Sequence, residues 1–314
     1  MSVPKKHHFL PEFFLKKWRG SDLRVVQFHR PHETKFASVR RFPSETGFER
    51  FLYSLGNLPV EEAQEIETEF FSLVDDRASI ALDALYVDGH LPKDLEDQWW
   101  RFVATLMTRM PSDVRKYRSF RQKLANEVLP ILEGVKSLPD FTDRAPEIES
   151  AAAAVKQDQI DTSTRGLAAL MSKERLLGQL RNLNWKVVST HQAPFELLTS
   201  DRPVAFYPEQ AFLMMLPIGP NLLFVASKDN NTVRKVENAS KNVIVREVNA
   251  AIVGSAEQYV IGRTETQRGY IAANMGKSKS RSFMDMLEET VEKELPGITE
   301  GLQEAFRKEL KDAT

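Results

Sequence analysis

The sequence predicts an α+β fold, with an antiparallel sheet packed against a helical layer in a single integrated domain. Three observations carry that expectation. Between Glu61 and Leu183 apolar residues recur at three- and four-residue spacing, the period of helices that bury one face. From Trp185 the period shortens, and Trp185–His191, Phe195–Ser200, Phe212–Leu216 and Leu222–Ala226 read as strands. The breaks between them, at 192–194, 207–210 and 217–221, are short, and such connections favour antiparallel neighbours. Helices covering a mainly antiparallel sheet make an α+β layer architecture.

In order along 1–314, the chain divides into an N-terminal helix and hairpin (8–42), a helical middle (61–183), a β-rich part (184–262) and C-terminal helices (263–314). Pro11 suits the first turn of a helix, where its missing N–H is no loss, and Phe14, Leu15 and Trp18 then share a face. His7 and His8 flank that helix. Residues 23–29 and 35–40 frame a hairpin around 30–34, and 50–53 offers a short strand. Ile66, Phe70, Leu73, Val74, Ile80, Ala81 and Leu85 form the buried stripe of the next helix, closed by Gly89 and Pro92. A second helix buries Leu95, Trp99, Val103, Leu106, Met107 and Met110 and ends before Pro111, because a residue preceding proline is pushed out of helical geometry. Ser112 or Asp113 can cap a third, running to about Glu133, with Val114, Tyr117 and Leu124 on one side and Arg115, Lys116, Arg118, Arg121 and Lys123 on the other. Helices follow over 145–161 and 163–183. Beyond the strands, helix is expected over 238–257, 263–275 and 282–310, with one more strand at 258–261.

Composition narrows the function classes. With 43 Lys plus Arg against 44 Asp plus Glu, the net charge of −1 supplies no global field toward nucleic acid or anionic membrane. The absence of cysteine removes disulfides, thiolate metal sites and cysteine nucleophiles, and favours a reducing, cytoplasmic setting. Lys5 and Lys6 before an apolar stretch superficially suggest a signal peptide. Pro11, Glu12 and Lys16-Lys17 interrupt it, so it reads as mature protein, and no uncharged run has the length of a membrane span. There is no phosphate-cradling Gly-rich loop with Lys-Ser/Thr, no dinucleotide fingerprint, no His-Glu-x-x-His and no serine nucleophile elbow.

The polar step Thr199-Ser200-Asp201-Arg202-Pro203 interrupts an apolar run and draws attention as a site. Asp201 can hold a cation or a substrate donor, or shape an Asx-turn with Ser200. His8 can serve as a general base or metal ligand, or merely flank a docking helix. Glu67 and Asp75 lie two helical turns apart and can face the same way, as a two-carboxylate metal site requires, or belong to a solvated acidic face. Arg109 has the planar fork that clamps phosphate or carboxylate, or pairs with a helix acid.

In order, His8-Phe9-Leu10-Pro11-Glu12-Phe13-Phe14-Leu15, Ile66-Glu67 with Leu73-Val74-Asp75, Arg109-Met110-Pro111 with Arg115, Thr199-Ser200-Asp201-Arg202-Pro203, Leu216-Pro217-Ile218-Gly219-Pro220, and Asn249 with Ala256-Glu257-Gln258-Tyr259-Val260 make an ordered set. The set resembles the domain of unknown function 4238 family, a widespread, mainly bacterial family. The resemblance spans His8 to about Arg263, implies one integrated domain and implies no established reaction. Arg202 and Gly219 depart from the family pattern, which bears on local turn shape.

Two function classes are therefore carried forward. The first is a metal-assisted phosphoester hydrolase or nuclease with His8, Arg109 and Asp201 as catalytic residues. His8 activates water, Arg109 neutralises phosphate charge, and Ser200 and Arg115 bind a phosphate ester or nucleic acid. Asp201 with Glu67 or Asp75 holds Mg²⁺ or Mn²⁺. The second is a non-catalytic binding or regulatory module, in which the polar cluster is structural and the basic face from Arg115 to Lys123 meets an acidic partner. Convergence of His8, Arg109 and Asp201 in one place separates the two.

Overall fold

A computed structural model describes residues 6–32, 35–53, 71–136, 144–160, 172–278 and 282–312. The α+β class and the antiparallel pairing stand as the sequence predicts, but the strands divide between two four-stranded sheets and one two-stranded ribbon. Strand β1 (Lys6–His8) pairs with β4 (Phe48–Arg50) in the ribbon. The hairpin β2 (Val25–His32) and β3 (Lys35–Arg41) joins β10 (Tyr259–Gly262) and β6 (Thr199–Ser200) in the order β3-β2-β10-β6. The remaining strands, β5 (Asn184–Ser189), β7 (Ala205–Tyr207), β8 (Leu213–Gly219) and β9 (Leu222–Ser227), form the order β5-β9-β8-β7.

The last sheet shows why β8 and β9 read as continuous apolar runs rather than as alternating ones. Met214, Leu216, Phe224 and Ala226 face a core shared with α1 (Glu12–Leu15), α2 (Ser72–Asp88), α3 (Lys93–Leu106) and α6 (Glu174–Arg181). Leu213, Met215, Leu223 and Val225 point the other way, onto Ile244, Val245, Val248 and Ile252 of α8 (Lys241–Ser255). With both faces covered, every position is apolar. Pro217 is tolerated in β8 because the register shifts between it and Gly219, and β7 pairs no farther along than Met215. The hairpin sheet packs Val26, Phe28 and Val260 against Val253 of α8 and against Ile271 and Met275, which lie in and just beyond α9 (Arg268–Asn274).

Several boundaries move from expectation, each for a local reason. The strand expected at Phe195–Ser200 shortens to Thr199–Ser200, because Leu197 N–H donates to the Pro220 carbonyl and Leu198 N–H to Asn249 Oδ1 instead of to a ladder. In α2 the buried stripe is Val74, Ala78, Ala81, Leu82 and Leu85; Leu73 and Ile80 face solvent at 65% and 52% exposure. Ile66 and Phe70, expected on that stripe, lie outside the described residues. Gly89 closes α2 at φ 61°, a conformation that suits glycine. The helix α4 (Pro111–Lys136) follows α3 after a short break, α5 (Ala145–Ile160) comes next, and α7 (Asn230–Asn238) was not legible in its polar sequence. The C-terminal α10 (Phe283–Asp312) lies along α4 and supplies Asp285 to Lys116 and Glu292 to Lys123. The basic face of α4 thus meets acids of its own chain.

Candidate functional site

The polar residues singled out from the sequence gather around two centres joined by the segment from Arg109 to Asp113. The first is built on the β1–β4 ribbon. Successive strand residues point to opposite sides, so His7 turns into the protein and is buried while His8 is half-buried. After β4 the chain turns through Phe51, a non-glycine residue at φ 58°, which delivers Leu52 and Tyr53 into the core. Tyr53 ties the centre together. Its backbone N–H donates to His7 Nδ1 (3.0 Å), its hydroxyl donates to the Arg109 carbonyl (3.0 Å), and its ring stacks on His7 and Phe71.

Arg109 sits in the break between α3 and α4 with 0% of its side chain exposed. Nη1 donates to Asp75 Oδ1 of α2 at 3.0 Å, and the guanidinium lies 5.7 Å from the Phe71 ring and 5.4 Å from that of Phe102. Among the described residues its Nε and Nη2 have no hydrogen-bond acceptor. A buried ionised donor left unmade is costly, about 1–3 kcal/mol or more per group. His8 Nε2 is likewise buried and without a partner, and its ring meets Phe48 edge-on at 5.5 Å. Burial depresses the His8 pKa; Glu12 opposes this, while the charges of Lys6 and Arg109 add to it. The imidazole is therefore neutral at physiological pH. Burial raises the Asp75 carboxyl pKa, and the Arg109 guanidinium only partly offsets that.

The second centre is the polar step itself. Asp201 is 5% exposed, and its carboxylate accepts the backbone N–H groups of Glu257 (2.9 Å), Gln258 (2.5 Å) and Tyr259 (3.3 Å). It binds the turn entering β10. Burial raises its pKa to about 6 against those three donors. Ser200 Oγ accepts the Arg202 N–H and donates to a carbonyl, with those of Ile252 and Arg202 both at 3.1 Å. Arg202 Nη1 donates to both oxygens of buried Asp113 at 2.8 Å, Nη2 to Ser112 Oγ and Glu257, and Nε to Glu257. Burial opposes the Arg202 charge, but Asp113 and Glu257 outweigh it and raise its pKa.

The structure thus pairs Arg109 with Asp75 and leaves His8 on the neighbouring ribbon, near enough to feel the Arg109 charge. It places Asp201 and Ser200 on the Glu257–Tyr259 turn, with their polar atoms taken up there, so His8, Arg109 and Asp201 do not converge and the metal-assisted hydrolase built on all three fails. Arg115 is an exposed residue of α4, paired at 3.2 Å with Glu49, which lies opposite His7 in the same ribbon. Glu67 lies outside the described residues. Among the described residues no group of three or more His, Asp or Glu side chains is placed to hold a metal ion, and the Asp75 and Asp201 carboxylates are engaged by different partners. Sequence reasoning missed Tyr53 and the clamp role of Arg202. The double histidine was the available signal for a strand with one inward and one outward face, and Asp113 at the α4 terminus was the signal for a buried cation nearby.

Comparison with known proteins adds one result. A family model described as protein of unknown function (DUF4238) matches residues 6–266. The chain belongs to the DUF4238 family. No curated protein and no solved structure matches it. The matched span of this DUF4238 chain includes both centres, from the His7-His8 ribbon to the Glu257–Tyr259 turn.

Proposed function

We propose that this DUF4238 chain binds a phosphate ester through Arg109 and, in a narrower reading that dispenses with Asp201 and a metal, hydrolyses it with His8 as general base. One observation carries the reading: among the described residues a fully buried guanidinium has two N–H groups without acceptors, and the buried Nε2 of His8, within reach of its charge, also lacks a partner. Two parallel N–H donors of an arginine match two oxygens of a phosphoryl group. Asp75 takes Nη1 and leaves Nε and Nη2 as the free edge of the fork. In the Nδ1-protonated tautomer, His8 Nε2 presents the lone pair that a general base needs. Water attacks phosphorus, the P–O ester bond breaks, the proton of water passes to Nε2, and it is then delivered to the departing alkoxide. Arg109 stabilises the charge that grows on the phosphoryl oxygens.

The test is turnover of p-nitrophenyl phosphate, bis(p-nitrophenyl) phosphate and a single-stranded DNA oligonucleotide, each with and without Mg²⁺ or Mn²⁺. Wild type should turn over at least one of them. His8→Gln should lose about 10²–10⁴-fold in kcat with little change in KM, whereas Arg109→Lys should raise KM as well. Equal turnover in all three proteins refutes the reading. A second reading is favoured by Asp201, whose carboxylate is consumed by backbone amides rather than offered to a ligand. On that reading the Arg109 centre binds an anion without turning it over, and phosphate would raise the wild-type melting temperature while every substrate stayed intact.

A further inference from the structure

Away from both centres, α8, the segment before β6 and the turn into α9 enclose a cavity of about 350 Å³. Small-molecule sites occupy roughly 300–1,000 Å³ and are mostly apolar, with a few placed polar groups. The walls here are Phe195, Val245 and Tyr270. Phe195 is 51% exposed, which leaves an aromatic face open toward the cavity mouth. The floor is Asn249 and Gln267, and their polar atoms are used within the protein. Asn249 Oδ1 accepts the Leu198 N–H, its Nδ2 donates to the Glu196 carbonyl and to Gln267 Oε1, and Gln267 Nε2 donates to the Glu196 carbonyl. A floor so committed is rigid and offers few hydrogen bonds, so it suits a flat apolar ring better than a sugar. At the rim, Arg246 touches only its neighbour Glu247 among the partners seen for it, at 3.4 Å, long for a charge-assisted bond.

We propose that this cavity binds a small aromatic acid, its ring between Phe195, Val245 and Tyr270 and its anionic group on Arg246. The site is independent of the Arg109 centre, so neither proposal depends on the other. Gly269 lines the cavity, and a Cβ there meets no atom within 4 Å, so Gly269→Phe fills the space without a clash at its first carbon.

Calorimetric titration with naphthalene-2-sulfonate and with uncharged 2-naphthol tests the assignment. Wild type should bind the sulfonate at one site and more tightly than the naphthol. Gly269→Phe should abolish both, and Asn242→Trp at the rim gives a second block should the first variant melt early. Arg246→Gln should weaken the sulfonate about tenfold, as the loss of one charge-assisted contact, and leave the naphthol unchanged. No sulfonate binding by wild type at millimolar concentration, unchanged binding in both blocking variants, or equal affinity for the two compounds overturns the proposal.

Discussion

Asp201→Asn is the substitution for which the structure gives the most specific expectation, because two effects of opposite sign can be sized. The carboxylate holds three backbone N–H groups, with Oδ1 on Glu257 and Oδ2 on Gln258 and Tyr259. Asparagine has one acceptor oxygen, so at best it keeps the two donors on one side and turns its NH₂ toward the third. That costs about 1–3 kcal/mol for an unsatisfied buried donor. The opposing effect is charge. Burial raises the Asp201 pKa from 3.8 to about 6, so the folded state holds the proton more tightly than the unfolded chain does. The stability this group supplies is therefore fully present below pH 3.8 and is lost as pH rises through 6, by about 3 kcal/mol in all. Asparagine does not titrate and escapes that loss. Its deficit relative to wild type should narrow by roughly half of that amount between pH 5 and pH 7.5, and should be close to zero at the upper end. Urea unfolding of both proteins at pH 5, 6 and 7.5 measures the difference directly. A deficit that grows with pH would mean that the three donors outweigh burial, and would refute the electrostatic reasoning.

Other perturbations separate core from surface. Trp99 is fully buried against Phe102 and Phe224, so Trp99→Ala should cost about 3–5 kcal/mol in denaturant melts. Lys123 is exposed and pairs with Glu292 at the surface, so Lys123→Ala should leave the unfolding midpoint near that of wild type. A Cβ at Gly219 would lie 1.4 Å from the Tyr86 hydroxyl, which donates to the Ile218 carbonyl; Gly219→Ala should therefore destabilise by about 1–3 kcal/mol, and an unchanged melting midpoint would contradict that packing. Arg202→Lys can still meet Asp113 with one ammonium but cannot also span Ser112 and Glu257, and should lower stability by about 1–3 kcal/mol, read by the same melts.

What was legible in the sequence follows the strength of its periodic signals. The β2–β3 hairpin, the stripe of α3 and the break at Pro111 could be read because apolar spacing and proline stereochemistry act locally. The phase of α2 could not, since Leu73 and Ile80 fit a three-and-four pattern as well as Ala78 and Leu82 do, and small alanines against the sheet decide which face goes inside. Strand β7 is three residues long and α7 carries one buried side chain, too little apolar pattern to detect. At the site, residue chemistry pointed to Arg109 and Asp75, which the fold pairs, and to His8 on the neighbouring ribbon. It pointed equally to Asp201 and Ser200, whose partners, apart from the local bonds between Ser200 and Arg202, are backbone amides and carbonyls more than fifty residues away in sequence. Backbone groups have no sequence signature, so a carboxylate that closes a distant turn looks the same in sequence as one that awaits a ligand.

Among the described residues Arg109 has two unshared N–H groups, and they can be watched directly. In protein labelled with ¹⁵N-arginine, the Arg109 Nε–H resonance is assigned by its loss in Arg109→Lys and followed as inorganic phosphate is added. Saturable movement of that resonance, with the exposed arginines unaffected and with the response lost in Arg109→Lys, is the predicted result. A resonance that stays fixed through millimolar phosphate, in protein that remains folded, would contradict the claim that this guanidinium is built to receive a phosphoryl group.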